Sequence, residues 1–303
     1  MKKKYGEVSL NLKYYTGQDG YSDGDIENEI LEIVKNTEDY THLVENDERW
    51  PILYHLSPIR RNLLEWVPIS SQESVLEIGA GCGALTGLMC EKAQRVVAIE
   101  LSKRRAEINA YRNKRHSNLE ILVGNLNDMK INEKFDVVTL VGVLEYAPSF
   151  TVDEKPFDRF LSKIKDFILP GKKLIVAIEN KYGLKYWAGA KEDHTGVMFD
   201  SIQNYYNTER VKTFSKNEIT LLLQRNGFVN LKFYYPMPDY KLPTQVFSEK
   251  RLPNIGNING YVNTDSDRLS LFDERLVYNN LIADGQFEFF ANSFLVICEN
   301  GGR

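Results

Sequence analysis

Three closely spaced glycines, with a carboxylate two residues ahead of them, are the residues in this sequence best suited to hold a ligand. The segment reads Val75-Leu76-Glu77-Ile78-Gly79-Ala80-Gly81-Cys82-Gly83. Glycine lets the backbone turn sharply and approach a ligand closely, and the free N–H groups of a following helix would point at that ligand. The spacing predicts a ligand-binding turn between a strand and a helix.

The carboxylate of Glu77 separates two ligands that such a turn can hold. Gly79, Gly81 and Ala84 satisfy the G-x-G-x-x-G/A pattern of dinucleotide-binding proteins. A dinucleotide brings a doubly negative pyrophosphate, which a nearby carboxylate repels. S-adenosylmethionine has no phosphate and carries a sulfonium and an ammonium group, which a carboxylate attracts. We therefore predict S-adenosylmethionine as cofactor, with a nicotinamide oxidoreductase as the alternative that Glu77 disfavours.

Further polar and apolar residues are predicted to line the cofactor. Glu100 ends an apolar strand, where its carboxylate can accept hydrogen bonds from both ribose hydroxyls; a solvated carboxylate at a strand end is the alternative. Tyr54 and Arg60 are predicted to close over the methionine end, with Arg60 pairing to its carboxylate, or else to belong to an ordinary covering helix. Leu101, Gly142 and Val143 complete this set.

Strand-like and helix-like segments alternate through the middle of the chain. The predicted strands are 74–78, 95–99, 119–123, 135–140, 173–178, 229–235 and 287–298. The alternation predicts the α/β class, with a doubly wound, mostly parallel sheet of seven strands. We expect lid insertions after strands five and six, at about 181–212 and 239–285. Residues 1–70 are expected to form a helical cap that covers the cofactor, ahead of a domain at 71–303.

Together these segments resemble class I S-adenosylmethionine-dependent methyltransferases over about residues 50–180. The resemblance implies that the Asn125 amide oxygen meets the adenine amino group and that Leu126 packs on the ring; a local Asn-rich turn is the alternative. The segment 75–86 also resembles the first motif of rRNA adenine dimethyltransferases, whereas 143–148 departs from their Asn-Leu-Pro-Tyr type segment. Residues 179–189 and 192–196 resemble bacterial methyltransferases associated with cell-surface polysaccharide synthesis.

Methyl transfer to a hydroxyl requires a group that takes the hydroxyl proton. His194 is the first candidate, because an unperturbed histidine titrates near neutrality; Glu179 and Asp193 are alternatives. A loop histidine that only caps or hydrogen-bonds locally is at least as strong an interpretation of His194. The sequence thus predicts methyl transfer to a hydroxyl of a sugar, sugar nucleotide or glycan. An RNA methyltransferase and a non-catalytic cofactor-binding module are the alternatives.

Composition limits the partners. A formal net charge of −4 disfavours nucleic acid as a partner. Three cysteines and four histidines show no ligand-like spacing, so no metal site and no disulfide are predicted. No apolar stretch reaches the ~18 residues of a membrane span and no signal peptide is evident. We expect a cytoplasmic protein without a membrane span, and a homodimer is also considered.

Overall fold

The computed structural model describes residues 2–19, 22–206, 208–259 and 268–302. The chain forms two compact units. The first comprises Met1–Leu140 and Asp166–Lys173, and the second comprises Val141–Lys165 and Leu174–Arg303. This division differs from the expected boundary near residue 70, because the N-terminal segment packs with the strands that follow it.

The first unit contains six strands in the order β1-β2-β5-β4-β3-β6. Strand β2 pairs in parallel with β5, β5 with β4, β4 with β3, and β3 with β6. The strands are β1 (Lys2–Tyr5), β2 (Val8–Tyr14), β3 (Ser74–Ile78), β4 (Arg95–Glu100), β5 (Leu119–Gly124) and β6 (Phe135–Val141). The helices are α1 (Ile26–Asn36), α2 (Thr41–Asn46), α3 (Trp50–Leu56), α4 (Thr86–Lys92) and α5 (Lys103–Arg112).

The N-terminal segment contains an antiparallel hairpin, β1–β2, in addition to helices. The expected helical cap is therefore incomplete as a description of residues 1–70. Val8 and Leu10 alternate with partly exposed residues and are both fully buried. That period of two is typical of a strand, and the polar residues between them obscured it in the sequence.

A buried ionic network connects α1 to α5. Arg105 donates from Nε to Glu27 Oε1 at 2.7 Å, and Glu27 is completely buried. The same guanidinium lies 2.7 Å from Asp23 Oδ2, which also meets His55 Nε2 at 2.9 Å. Beside this network lies an apolar cluster of Ile30, Val34, Ile52, Leu56, Cys82 and Ile108.

The second unit has the strand order β7-β10-β8-β9, with β10–β8 and β8–β9 antiparallel. The strands are β7 (Ile168–Glu179), which begins in the first unit, β8 (Phe228–Met237), β9 (Gln245–Ser248) and β10 (Ser293–Asn300). The helices are α6 (Ala147–Phe150), α7 (Pro156–Asp166), α8 (Leu184–Trp187), α9 (Lys216–Arg225), α10 (Glu274–Ala283) and α11 (Phe287–Phe290).

The described residues form ten strands, so the expected number of seven is corrected. The three additional strands are β1, β2 and β9. The predicted strand 287–298 is also shorter, because 287–290 form helix α11, whose Phe287 packs edge-on against Tyr235.

The two expected insertions contain short elements. Segment 181–212 contains α8, and segment 239–285 contains β9 and α10, while residues 260–267 lie outside the described residues. Their function as lids stays a prediction. None of the helices in the described parts of the chain combines the length and the apolar character that crossing a bilayer requires.

Candidate functional site

The glycine turn follows β3 directly. Gly79, Gly81 and Gly83 have φ angles of 70°, 54° and 78°, a region that side-chain-bearing residues seldom adopt. The N–H groups of Gly79 and Ala80 both donate to Ile99 O, at 2.9 and 3.0 Å. The turn is therefore fixed against the neighbouring strand β4 at its carboxyl end.

Gly81 and Gly83 have different roles in this turn. A Cβ added at Gly81 would meet no atom within 4 Å, so the backbone there faces open space. A Cβ at Gly83 would come within 2.5 Å of Asn109 Oδ1 on α5. Gly81 therefore leaves room for a ligand, whereas Gly83 permits close packing of the turn against a helix.

Glu100 lies at the carboxyl end of β4 and is 5% exposed. Its Oε2 accepts from the Gly81 N–H at 2.7 Å, and its Oε1 accepts from the Ser102 N–H at 2.8 Å. Burial nevertheless raises the pKa of this carboxyl, although these N–H groups oppose the shift. The Leu101 N–H also acts on this carboxyl, so about one of its roughly four acceptor positions remains for a hydroxyl group of a ligand beside Gly81.

Glu77 is buried below the turn and accepts a hydrogen bond of 2.6 Å from Thr86 Oγ1. Burial raises the pKa of Glu77 to about 7, while the Thr86 hydroxyl lowers it and the Glu100 charge adds to the increase. A nearby cation would favour the ionised carboxylate. Glu77 is thus placed to respond to the charge of a ligand.

Arg60 and Tyr54 lie together before β3. The Arg60 guanidinium carbon is 4.4 Å from the Tyr54 ring centre, a cation–π distance. The charge of Arg60 also acts on the carboxyl of Glu77. The structure thus brings Arg60 into electrostatic reach of the turn, and the contact of both residues with the cofactor stays a prediction.

Asn125 and Leu126 follow β5, and half-buried Leu101 follows Glu100. The Asn125 Oδ1 accepts from the Asn127 N–H at 2.9 Å, which is the local turn considered as the alternative. A carbonyl oxygen has a second lone pair, so the predicted contact with an adenine amino group is still open to Asn125. Leu126 is 6% exposed.

In the second unit, Gly142 adjoins a polar side-chain cluster. Gly142 has φ 67°, and a Cβ there would lie 2.8 Å from Tyr240 Oη and 3.6 Å from Glu145 Oε1. Val143 immediately precedes the 3₁₀ turn Leu144–Tyr146, which carries Glu145. A contact of Gly142 and Val143 with the cofactor stays a prediction.

Four residues form what we call the carboxylate–histidine cluster: Glu145, Glu179, Glu192 and His194. His194 Nδ1 lies 2.8 Å from Glu192 Oε1, and His194 Nε2 lies 3.7 Å from Glu145 Oε1 and 3.9 Å from Glu179 Oε2. Glu145, Glu179 and Glu192 are each at most 1% exposed. Three carboxylates thus surround one imidazole in the interior of the second unit.

The charge state of His194 follows from this environment. Burial alone would lower its pKa, but Glu179, Glu145 and Glu192 raise the pKa of His194 well above its usual value. This environment favours the protonated form of the imidazole. His194 was predicted to accept a proton because an unperturbed histidine titrates near neutrality. The surrounding carboxylates remove that basis for the prediction.

Asp193 faces different partners from its neighbour His194. Its carboxylate lies 2.8 Å from Lys185 Nζ and also contacts Lys241 Nζ and the Tyr186 hydroxyl. Despite burial, the charges of Lys185 and Lys241 hold the pKa of Asp193 well below its usual value. The structure brings Glu179 and His194 together, whereas Asp193 is part of an ion pair.

The sequence matches one protein-family model and several curated relatives. Residues 76–172 match a family described as Methyltransferase domain. Ribosomal RNA small subunit methyltransferase A of Clostridium botulinum is 27% identical over 164 residues, covering 52% of this chain and 56% of that protein. An rRNA adenine N-6-methyltransferase of Bacillus licheniformis is 36% identical over 90 residues, covering 29% of this chain and 31% of that protein.

Residues 76–172 are a methyltransferase domain. The predicted enzyme class, a methyltransferase, is confirmed for this segment, and the predicted cofactor, S-adenosylmethionine, agrees with it. The chain spans about half the length of the first relative.

A solved structure agrees on the fold. A chain in the complex that contains the Haloferax volcanii Trm112 methyltransferase activator has a TM-score of 0.52 at 14% identity. The likeness covers 93% of this chain and 100% of that chain. It shows the Rossmann-like methyltransferase fold and says nothing about the acceptor.

The methyltransferase domain contains the glycine turn, Glu77, Glu100 and Asn125, whereas Glu179 and His194 follow its C-terminal end. Sequence reasoning missed Glu145 and Glu192 in the cluster. Glu145 had one available signal, its position five residues after the end of the predicted strand 135–140, where ligand-binding residues of α/β sheets occur. Glu192 gave no such signal.

Proposed function

We propose that the chain transfers the methyl group of S-adenosylmethionine to a hydroxyl of a sugar, sugar nucleotide or glycan. One observation supports the cofactor more than any other. The open backbone at Gly81 lies next to a buried carboxylate, Glu100, that accepts the Gly81 N–H at 2.7 Å. A ligand carrying a ribose and a positive charge fits this arrangement better than a diphosphate.

The residues of the first unit would bind and orient the cofactor. Glu100 would bind the ribose hydroxyls through the acceptor capacity that its backbone N–H partners leave free. Glu77 would favour the cationic end by becoming ionised, and Arg60 would pair with the carboxylate of the methionine part. When bound, the cofactor supplies a methyl group on sulfur with a good leaving group, so alignment and exclusion of water are the main tasks of the protein.

We assign acceptor binding to residues of the second unit. Tyr182 stacks on Phe289 with ring centres 5.2 Å apart, and Trp187 packs edge-on to Phe290 at 6.4 Å. Trp187 is 40% exposed and Phe289 is 48% exposed. Such amphipathic aromatic surfaces suit the apolar faces of sugar rings. The buried carboxylate–histidine cluster is the proposed place at which the acceptor hydroxyl loses its proton.

RNA is the second candidate acceptor. The two relatives described above are named as rRNA methyltransferases, which favours it. The formal charge of −4 counts against it, because RNA binding depends strongly on basic residues.

Binding and turnover experiments separate these proposals. Calorimetry on the full chain is expected to show binding of S-adenosylhomocysteine and none of NAD. Methyl transfer from labelled S-adenosylmethionine is then measured with a panel of sugar nucleotides and oligosaccharides, and in parallel with unmodified rRNA. Label in the sugar fraction supports the first proposal, and salt-dependent label in RNA supports the second.

Two results would contradict the proposal in different ways. Tight binding of NAD in place of S-adenosylhomocysteine would remove the cofactor assignment. Cofactor binding without consumption for any acceptor of either class would leave the non-catalytic binding module as the better description.

A further inference from the structure

We propose that Glu145, Glu179 and His194 bind a divalent transition-metal ion. The three residues are separated by 34 and 15 positions in the sequence and converge inside the second unit. Their nearest ligand atoms, one from each residue, all lie within 4.8 Å of one another. The proposal goes beyond methyl transfer and stands whether or not that function is correct.

The geometry is close to that of a metal-bound triad. His194 Nε2 is 3.7 Å from Glu145 Oε1 and 3.9 Å from Glu179 Oε2. In a tetrahedral site with metal–ligand bonds of about 2.1 Å, neighbouring ligand atoms are about 3.4 Å apart. Shifts of a few tenths of an ångström bring His194 Nε2 to this spacing from each glutamate, whereas the two glutamate oxygens, which lie within 4.8 Å of each other, approach by up to about 1.4 Å.

Among the described residues, Glu145 has no hydrogen-bond partner for its side chain, whereas Glu179 is compensated on one oxygen. Glu179 Oε1 accepts from Tyr240 Oη at 3.2 Å and lies 3.3 Å from Lys241 Nζ. Within the described residues, both oxygens of Glu145 and Oε2 of Glu179 thus have no hydrogen-bond partner, although the residues are 1% and 0% exposed. A buried carboxylate that is neither hydrogen-bonded nor closely paired is strongly unfavourable. A cation between these oxygens would compensate them, and His194 lies beyond hydrogen-bond distance of both.

The surrounding contacts match those found around metal-ligating residues. A histidine that binds a metal usually donates its other ring N–H to a carboxylate, and His194 Nδ1 lies 2.8 Å from Glu192 Oε1. Glu192 is itself held by the Thr195 N–H at 2.8 Å and the Tyr205 hydroxyl at 2.9 Å. Metal binding would displace the Nε2 proton of His194, which leaves the Nε2 lone pair directed at the two glutamates.

The donor set indicates the class of metal. One imidazole and two carboxylates suit Zn²⁺ or Mn²⁺, whereas Mg²⁺ prefers oxygen ligands alone. Three protein ligands also leave coordination positions for water or for an oxygen of a bound molecule. We therefore expect Zn²⁺ to bind more tightly than Mn²⁺, following the general affinity order, and Mg²⁺ to bind weakest.

The experiment measures metal binding without any cofactor. Untagged full-length protein is stripped with a chelator and titrated with ZnCl₂, MnCl₂ and MgCl₂ in a calorimeter. We expect a single equivalent of Zn²⁺ to bind and the thermal midpoint to rise by roughly 5 °C at saturation. Glu145→Gln and His194→Ala should each weaken binding at least about 100-fold, and Glu192→Gln about 10-fold.

A matched control removes an exposed histidine, His42. His42→Ala should leave metal affinity unchanged. The proposal is overturned if the stripped wild-type chain binds no equivalent of Zn²⁺ or Mn²⁺, or if Glu145→Gln and His194→Ala bind the metal as tightly as the wild type.

Variants that merely fail to fold are recognised from the metal-free proteins. Glu145→Gln removes a buried charge without changing the shape of the side chain, so its metal-free thermal midpoint should equal or exceed that of the wild type. A lower midpoint in this variant, together with a wild-type chain that binds no metal, would show that the cluster is a structural ion pair.

Discussion

The glycine turn and the carboxylate–histidine cluster are two polar sites built by opposite means. In the turn, residues within a few positions of each other act mainly through backbone, since Gly81 offers an N–H and open space. In the cluster, residues from 145 to 194 come together through their side chains, with His194 Nδ1 2.8 Å from Glu192 and its Nε2 within 4 Å of the other two glutamates. The first kind of site is encoded locally, whereas the second exists only once the chain has folded.

This contrast leads to different sensitivities. A backbone site tolerates changes in the surrounding side chains but not a new Cβ where the ligand lies. A buried side-chain site is sensitive to the loss of any charge, because the remaining partner is left without compensation. Four substitutions test the contrast.

The largest effect is expected for Lys185→Met in the second unit. Lys185 is 3% exposed in its side chain and pairs with Asp193 at 2.8 Å. Removing it leaves Asp193 with Lys241 as its remaining cation, and we expect the free energy of unfolding to fall by about 3 kcal/mol. Urea denaturation measures this, with Lys250→Met, an exposed lysine of the same unit, as the control. Equal losses in the two variants would show that the buried pair contributes nothing special.

Gly81→Val should abolish most of the cofactor affinity with little change in the fold. The side chain would occupy the open space in which the ligand is proposed to lie, and we expect S-adenosylhomocysteine to bind about 100-fold more weakly, or about 3 kcal/mol. Gly171→Val is the matched control, because Gly171 also has a positive φ, of 72°, and no neighbour within 4 Å. Calorimetry that finds the two variants equally impaired would assign the loss to backbone strain alone.

Glu100→Gln should have an intermediate effect. The amide keeps one acceptor oxygen but presents an NH₂ group to a backbone N–H, so the ribose contact and the turn both suffer. We expect affinity for S-adenosylhomocysteine to fall about 30-fold. Glu133→Gln is the control, since Glu133 is held by Arg95 at the opposite end of the same strand. An unchanged affinity in Glu100→Gln would refute the ribose assignment.

The smallest effect concerns the proton on Glu77. Because its pKa is raised to about 7, roughly half of the free protein carries this proton at neutral pH. A cationic ligand favours the carboxylate, so binding should release roughly half a proton at pH 7 and affinity should rise about threefold between pH 6.5 and 7.5. Calorimetry in buffers of different ionisation heat measures the release. Glu77→Gln should lose the proton release that comes from this carboxyl. Identical proton release in the wild type and in Glu77→Gln would contradict the assignment.

Local patterns explain which elements were predictable. Strand β3 has the predicted bounds, 74–78, because a continuous apolar run between turn residues is typical of a buried strand. Helix α9 follows Ser215, and the structure shows a capping box between Ser215 and Glu218, a residue spacing that marks a helix start in the sequence itself. The hairpin at 2–14 was missed because only every second residue is buried.

The residues of the candidate site also differ in whether a local sequence pattern points to them. Glu77, Gly81 and Glu100 were predictable because motif spacing and strand ends are local signals. The meeting of Glu145 with His194 depends on the path of the 48 residues between them, and no periodicity in that stretch predicts it. The pKa of His194 was equally inaccessible, since it follows from three carboxylates contributed by separate segments.

The network of Arg105 with Glu27 and Asp23 determines how far the chain can be shortened. A fragment limited to residues 76–172 would keep Arg105 in α5 but lose both of its anionic partners, together with Ile30 and Val34 of the adjoining apolar cluster. A guanidinium without a counter-charge and a bare hydrophobic surface would favour aggregation over folding. The smallest autonomous version of the first unit therefore has to include the acidic N-terminal helix, far upstream of the region that resembles other methyltransferases.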